Sequence, residues 1–187
     1  MTFTQRGIWL VPWPNAVIVD DFFTVDELAQ IRAFGDALPI GGGRIFYKPP
    51  ELVNEIHYMR RPPEMEWLYQ KMWGLYEELA KTNDFRFTAK RIHTGAYYHV
   101  FREGHYFNFH DDGPWEENRL TFAVQLSAPE EYTGGRFQFT RRYVAPKHGR
   151  IVVFHANTKH AVEKITSGVR RSLVMWVSDM VLPQPAS

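Results

Sequence analysis

Cysteine is absent from the chain. That absence alone removes disulfide frameworks, thiolate nucleophiles, cysteine-bound zinc and iron–sulfur clusters. Any metal must then sit on nitrogen and oxygen, for which eight histidines are available. A charge excess is missing too. The 22 Lys and Arg against 21 Asp and Glu leave a net charge of +1, with the signs interleaved, and such a balance supplies no general attraction for nucleic acid or an anionic membrane. No apolar run reaches the ~20 residues of a bilayer span, and residues 1–7 carry no basic stretch leading into an apolar one, so no signal peptide is expected. The expectation is a cytoplasmic protein, monomer or homodimer, that binds neither nucleic acid nor membrane. A phosphate loop is lacking as well, because Gly41-Gly42-Gly43 has no Lys-Ser/Thr after it and reads as a turn.

What is present is a chain of 187 residues, 44% hydrophobic and 16% aromatic, enough to bury a sizeable core as one domain. Residues 1–84 read as a mixed, partly helical buttress. Val17–Val19 is a short buried strand, and Thr24 with Glu27 makes a capping box. Leu28, Ile31, Phe34 and Leu38 then share a helical face interrupted by Gly35. Pro62-Pro63 opens a second helix with Leu68, Met72, Leu75 and Leu79 on one side, closed by Asn83-Asp84. From Phe85 the pattern turns to period two. Strand-like runs follow at Gly95–Arg102, Tyr106–His110, Leu120–Leu126, Arg136–Thr140, Arg150–Phe154 and Ser172–Val177, parted by turns such as Tyr132–Gly135 and Pro146–Gly149. Short strands at even spacing with helices upstream predict a mainly β fold: a double-stranded β-helix, or jelly roll, over 85–178, with the N-terminal helices packed on one sheet.

Three features in the β-rich half carry chemistry. In His110-Asp111-Asp112, residues two apart on an extended strand face the same way, so His110 and Asp112 aim at one point while Asp111 turns away. His160 lies fifty residues on, beyond strands able to fold back. Two imidazoles and one carboxylate cap one face of an octahedral metal and leave three positions open, as an oxygen-activating iron(II) requires, though the same set serves zinc. Arg170 and Ser172 then share a strand face. A guanidinium grips a carboxylate through paired, charge-assisted hydrogen bonds, which suits a keto acid that chelates the metal with its other end. Arg171 faces the opposite way.

Taken together, His110-x-Asp112 and His160-x-Val162-x-x-Ile165-x-x-Gly168-x-Arg170-x-Ser172 resemble the Fe(II)/2-oxoglutarate-dependent oxygenases of the prolyl 4-hydroxylase superfamily. Leu120–Leu126 and Tyr132–Phe139 are similar to that family's central strands and glycine turn, and Ile151–Phe154 to the strand that delivers the distal ligand. The resemblance covers about residues 85 to 178. It implies Fe(II) held by His110, Asp112 and His160, 2-oxoglutarate anchored on Arg170 and Ser172, and consumption of O2 in a hydroxylation that yields succinate and CO2. Asp112 occupies the position where related halogenases carry a small residue, which favours hydroxylation over chlorination. One departure stands out. Where many members place a tyrosine that contacts the keto acid, this chain has Phe101, leaving Tyr97 or Tyr106 to substitute. Trp176, Gln125 and Arg119 are the candidate substrate contacts, within an aromatic set that includes Tyr98, Phe107, Phe109 and Trp115. His99 and His105 lack partners at metal spacing and read as structural. The substrate class implied is an amino acid, a small metabolite or a peptidyl residue. A non-catalytic cupin-like binding module and a nucleic-acid dealkylase on the same fold are the competing readings.

Overall fold

In the computed structural model, residues 8–13, 16–41, 52–82, 89–92, 95–113, 120–140 and 142–178 are described. Fifteen strands and two helices follow one another as β1 (Ile8–Trp13), β2 (Ala16–Val19), α1 (Val25–Ala37), β3 (Leu52–Val53), β4 (Glu55–Arg60), α2 (Glu66–Thr82), β5 (Arg91–Ile92), β6 (Gly95–Phe101), β7 (Tyr106–His110), β8 (Leu120–Gln125), β9 (Tyr132–Gly134), β10 (Phe137–Phe139), β11 (Arg142–Tyr143), β12 (Ile151–His155), β13 (His160–Val162), β14 (Ile165–Gly168) and β15 (Arg170–Ser178). Among the described residues an eight-stranded sheet runs β1-β2-β12-β8-β15-β6-β4, with β5 against the far end of β15. A five-stranded sheet runs β11-β10-β13-β7-β3, and β14 pairs β9. All the pairings are antiparallel, including β15 with β6 and β8. The fold is the expected jelly roll.

Strand alternation sorts the large sheet into two faces. Ala96, Tyr98 and Val100 of β6, Phe122 and Val124 of β8, Ile151 and Val153 of β12, and Leu173, Met175 and Val177 of β15 enter one buried cluster with both helices. The intervening residues, among them Phe101, Ala123, Val152 and Phe154, meet Phe137, Phe139 and Val162 of the small sheet. The helices thus back the large sheet, and its other face looks into the roll. A sheet with one face on helices and the other on a second sheet is apolar on both, which explains why β8 and β12 read as continuous apolar runs.

Each helix takes the place its sequence predicts. Thr24 caps α1, accepting from the Glu27 amide at 3.2 Å while the Glu27 carboxylate accepts from the Thr24 amide at 2.8 Å. Gly35, which weakens the helix on propensity alone, is there for packing, because a Cβ at this position would overlap the Tyr98 ring. A 3-10 turn, Pro63–Met65, leads into α2, whose Leu68, Met72, Leu75 and Leu79 are all buried.

Several boundaries differ from the sequence expectation. The first third supplies more strand than helix-plus-strand patterning suggests, since β4 pairs with β6 along six residues. Tyr132–Gly134 is not a free turn but strand β9, paired to β14. Tyr98 faces the helices, donating to Asp36 at 2.8 Å, rather than the interior of the roll. Arg171 does turn away from Arg170, yet it is not free in solvent, since its guanidinium meets Asp36 at 2.9 Å. Phe85–Thr88, Asn83-Asp84 and Gly42-Gly43 lie outside the described residues. No helix among the described residues is long and apolar enough to cross a membrane.

Candidate active site

The pairing of β13 with β7 sets His160 opposite His110, as direct Cα partners. Asp112 follows β7 by two residues, and its amide donates to the Ala156 carbonyl at 2.7 Å, which ties the ligand-bearing segment to the chain just after β12. One ligand atom from each of His110, Asp112 and His160 lies within 4.8 Å of the others. Both imidazole Nε2 atoms stand 3.7 Å from Asp112 Oδ1, a spacing suited to donors that share one ion through bonds of about 2.0–2.2 Å.

The surroundings fix how these groups present themselves. His110 Nδ1 lies 2.8 Å from the Asn108 carbonyl and His160 Nδ1 2.9 Å from that of Thr158. A carbonyl only accepts, so both Nδ1 atoms carry hydrogen and both rings turn Nε2 toward Asp112. Burial, reinforced by the neighbouring His160, holds the His110 imidazole below its ordinary range and so neutral. The Phe107 ring stacks on His110 at 3.4 Å and fixes its plane. Asp112 Oδ2 is occupied elsewhere, accepting from Thr121 Oγ1 at 2.6 Å and from Trp176 Nε1 at 3.3 Å. Oδ1 is the oxygen that the two imidazoles face. The arrangement fits a divalent cation: two imidazole nitrogens, a carboxylate oxygen, and outer partners that orient all three. Removing the Thr121 hydroxyl in Thr121→Val should therefore weaken Mn(II) binding about tenfold by calorimetry; an unchanged Kd would show that the Trp176 contact orients Asp112 alone.

On the large sheet, Arg170, Ser172, Val174 and Trp176 share the face that looks into the roll. Arg170 is 3% exposed and makes no ion pair among the described residues. Its guanidinium donates to Ser172 Oγ at 3.2 Å, has the Tyr132 phenol beside it, and lies 5.4 Å from the centre of the Phe101 ring. Burial pushes its pKa below the usual arginine value, but a guanidinium remains charged at any physiological pH. A cation so enclosed costs several kcal/mol unless an anion joins it. Ser172 sits in a cross-strand row between His99 and Gln125. The Gln125 Nε2 amide is buried without a hydrogen-bond partner, a second donor awaiting an acceptor. His99 is held neutral, its pKa pushed down to about 3 by burial and the positive field of Arg170. Its Nδ1 lies 2.7 Å from Asn54 Nδ2, so its Nε2 carries the hydrogen.

The roll therefore has an acidic metal-type corner at one end of this face and an enclosed cation at the other. A family described as the 2OG-Fe(II) oxygenase superfamily has a sequence profile that matches residues 95–178, which span every one of these groups except Asn54. Over those residues, somewhat under half of its length, the chain is similar to the 2OG-Fe(II) oxygenase superfamily. Its relatives among characterised sequences include a PKHD-type hydroxylase of Prochlorococcus marinus, 31% identical over 103 residues, or 51% of this chain and 46% of that one. A PKHD-type hydroxylase of Parvibaculum lavamentivorans is 32% identical over 88 residues, 43% of this chain and 40% of its own. The chain spans less than half the length of these relatives. Solved structures share the fold: a viral collagen prolyl hydroxylase from Paramecium Bursaria Chlorella virus-1 superposes with a TM-score of 0.72 at 20% identity, covering 89% of this chain and 97% of that one. A Pseudomonas putida prolyl-4-hydroxylase gives 0.71 at 14% identity, covering 89% and 94%. The oxygenase superfamily takes its name from the Fe(II) and 2-oxoglutarate that its members use, and the two ends of the face match those two groups in kind.

The other predicted residues take definite places. Trp176 reaches Asp112, Gln125 flanks Ser172, and Tyr97 stands edge-on to Trp176 at 5.1 Å. The phenol at Arg170 is that of Tyr132. Tyr106 lies at the start of β7 against Val53, at the other end of that strand from His110. Phe109 is exposed. Arg119 and Trp115 lie outside the described residues. Thr121, Tyr132 and His99 were not singled out as site residues by sequence. Counting back by twos from Gln125 reaches Thr121, and from Phe101 reaches His99, so period two carried a signal for both.

Proposed function

We propose that the chain is an Fe(II)- and 2-oxoglutarate-dependent dioxygenase that hydroxylates an unactivated C–H bond of an amino acid, a small metabolite or a peptidyl residue, with release of succinate and CO2. The observation that carries this reading is Arg170: a buried guanidinium without a carboxylate among the described residues, on the same interior face that leads to the His110–Asp112–His160 corner. The names of the relatives, PKHD-type and prolyl hydroxylases, support the same reaction class.

In this reading His110, Asp112 and His160 hold the iron through Nε2, Oδ1 and Nε2. Bound there, iron and keto acid would activate O2, the oxidant, with one oxygen atom going to the succinate formed alongside CO2 and the other to the C–H bond. Arg170 binds the far carboxylate through its fork, with Ser172 and Gln125 adding donors along the row. Tyr132 supplies a phenol at the guanidinium, and Phe101 covers it. This division explains how the site dispenses with a hydroxyl at position 101. Phe101 contributes its ring face to the cation, and the nearby phenol is that of Tyr132. His99, neutral and sandwiched beside Phe101 at 5.9 Å, keeps a second positive charge from forming next to Arg170. Thr121 and Trp176 hold Asp112 so that the carboxylate does not swing from the ion. The apolar walls exclude water from the reacting centre.

Protein loaded anaerobically with Fe(II), given 2-oxoglutarate and then air, should form succinate at least tenfold faster than metal-free protein. Across a panel of amino acids and peptides, the member that accelerates this turnover should gain one oxygen in mass. Absence of succinate above the metal-free rate would overturn the reading.

A further inference from the structure

A second arginine shares the interior face and has no part in the site so far. Strand β5 pairs with the end of β15, Val177 opposite Ile92 and Ser178 opposite Arg91. Ile92 and Val177 enter the helix-side core, so the alternation sends Arg91 and Ser178 to the other face, the one that bears Trp176. Directly opposed and diagonal residues on one sheet face stand within side-chain reach, which sets Arg91 beside the indole that touches Asp112. Arg91 Nε is buried without a hydrogen-bond partner among the described residues, and no ion pair engages its guanidinium among them. Arg170, at the opposite end of β15, likewise makes no ion pair among the described residues.

Next to Arg91 the wall is aromatic. Trp176 meets Tyr97 edge-on at 5.1 Å, and Tyr97 meets Tyr58 at 5.5 Å. The Trp176 N–H donates to Asp112, which joins this aromatic wall to the metal corner. Arg60, opposite Gly95 at the same end of the sheet, lies 6.0 Å from the Tyr58 ring centre and adds positive charge at the rim. A molecule lying along this wall has the metal corner on one side and a guanidinium fork on the other.

We propose that Arg91 anchors a carboxylate of the molecule that is hydroxylated, with Tyr97 and Trp176 holding its apolar body so that a C–H bond faces the metal corner. The inference rests on the oxygenase reading and narrows its substrate class to carboxylates. The fork geometry of arginine selects a planar two-oxygen anion, and the positive charge of Arg60 and Arg91 opposes a substrate that brings an amine to this end. The carboxylate belongs either to a free small acid or to the end of a peptide chain, and both present the same group to Arg91.

The test uses Mn(II)-loaded protein at saturating 2-oxoglutarate, which fills the Arg170 end, titrated calorimetrically with 3-phenylpropanoate and with 3-phenylpropanamide. The acid should bind at least tenfold more tightly than the amide. In Arg91→Gln that preference should vanish while the Kd for 2-oxoglutarate stays unchanged. Equal affinity for acid and amide, no detectable binding of the acid, or a preference that survives Arg91→Gln would each overturn the assignment. Should Arg91→Gln not fold, Arg91→Lys takes its place: exchanging the fork for a point charge should weaken the acid at least threefold and leave the amide unaltered, and an unaltered acid affinity overturns the proposal. An N-acetylated tetrapeptide ending in phenylalanine, as free acid and as amide, separates the two sources. Preference for the acid peptide assigns a chain end, and acid preference confined to phenylpropanoate assigns a free metabolite. Failure of 2-oxoglutarate itself to bind would strike the oxygenase reading, whereas normal 2-oxoglutarate binding with no acid preference strikes this inference alone.

Discussion

Arg170→Ala should raise the KM for 2-oxoglutarate about a hundredfold, a loss of ~2.7 kcal/mol, with metal content unchanged. The size follows from the setting. Charge-assisted hydrogen bonds contribute about 1.5–3 kcal/mol, and Arg170 is enclosed by Phe101, Ser172 and Tyr132 where water screens little. The metal should be indifferent, because the triad draws its partners from Asn108, Thr158, Thr121 and Trp176 and none from Arg170. A thermal measurement separates anchor from scaffold. Without ligand, removing a buried cation that lacks a counter-ion costs little stability and can raise it, so the Tm of the variant should match or exceed that of the unsubstituted protein. Added 2-oxoglutarate with Mn(II) should then raise the Tm of the parent and barely move that of the variant. An unaltered KM would remove Arg170 as the anchor.

His110→Ala and Asp112→Ala should each weaken Mn(II) or anaerobic Fe(II) binding by about a thousandfold, ~4 kcal/mol, because the set holds only three donors and each substitution removes one. His160→Ala should behave alike, since both imidazoles stand at the same 3.7 Å from Asp112 Oδ1. The unsubstituted enzyme with its carboxylate in place should hydroxylate even in chloride buffer, and mass spectrometry of its product should show added oxygen. A chlorinated product would overturn the role given to Asp112, and unchanged calorimetric affinity in the variants would remove the triad as the metal site.

Much of this site was legible before any coordinates because both of its halves rest on period two. His110 and Asp112, or Arg170 and Ser172, need only an extended backbone to face the same way, and the strands that carry them alternate or run apolar without interruption. What lay hidden depends on pairing between distant segments. His99 has no neighbour in sequence at ligand spacing; alternation gives it a strand face shared with Phe101, and its register opposite Ser172 places it beside the Arg170 row. Tyr132 stands before two glycines, Gly134 and Gly135, both at positive φ, which reads as a turn; the chain uses that freedom within a strand, where a Cβ on Gly135 would collide with Ile165. Strand β4 escaped notice because its polar residues are not confined to one face. His57 lies on the buried helix side, where its Nδ1 donates to the Leu38 carbonyl at 2.7 Å, so the alternation that marks a half-buried strand is blurred. Arg91 belongs to the same class: two residues of strand carry no pattern, and their meaning comes from the end of β15.

The placement of the three metal-type ligands across the roll has a mechanical consequence. His110 and His160 belong to the small sheet, while Asp112 is held to the large one through Thr121 and Trp176. An ion bound to all three is therefore a cross-brace between two layers that otherwise touch through side chains such as Phe137 and Phe154. The large sheet, with helices at its back, keeps its shape without that brace. The small sheet, edged by two-residue strands, is where loss of the ion would first be felt as slackening, so in the proposed oxygenase the separation of the two layers would depend on whether that site is filled.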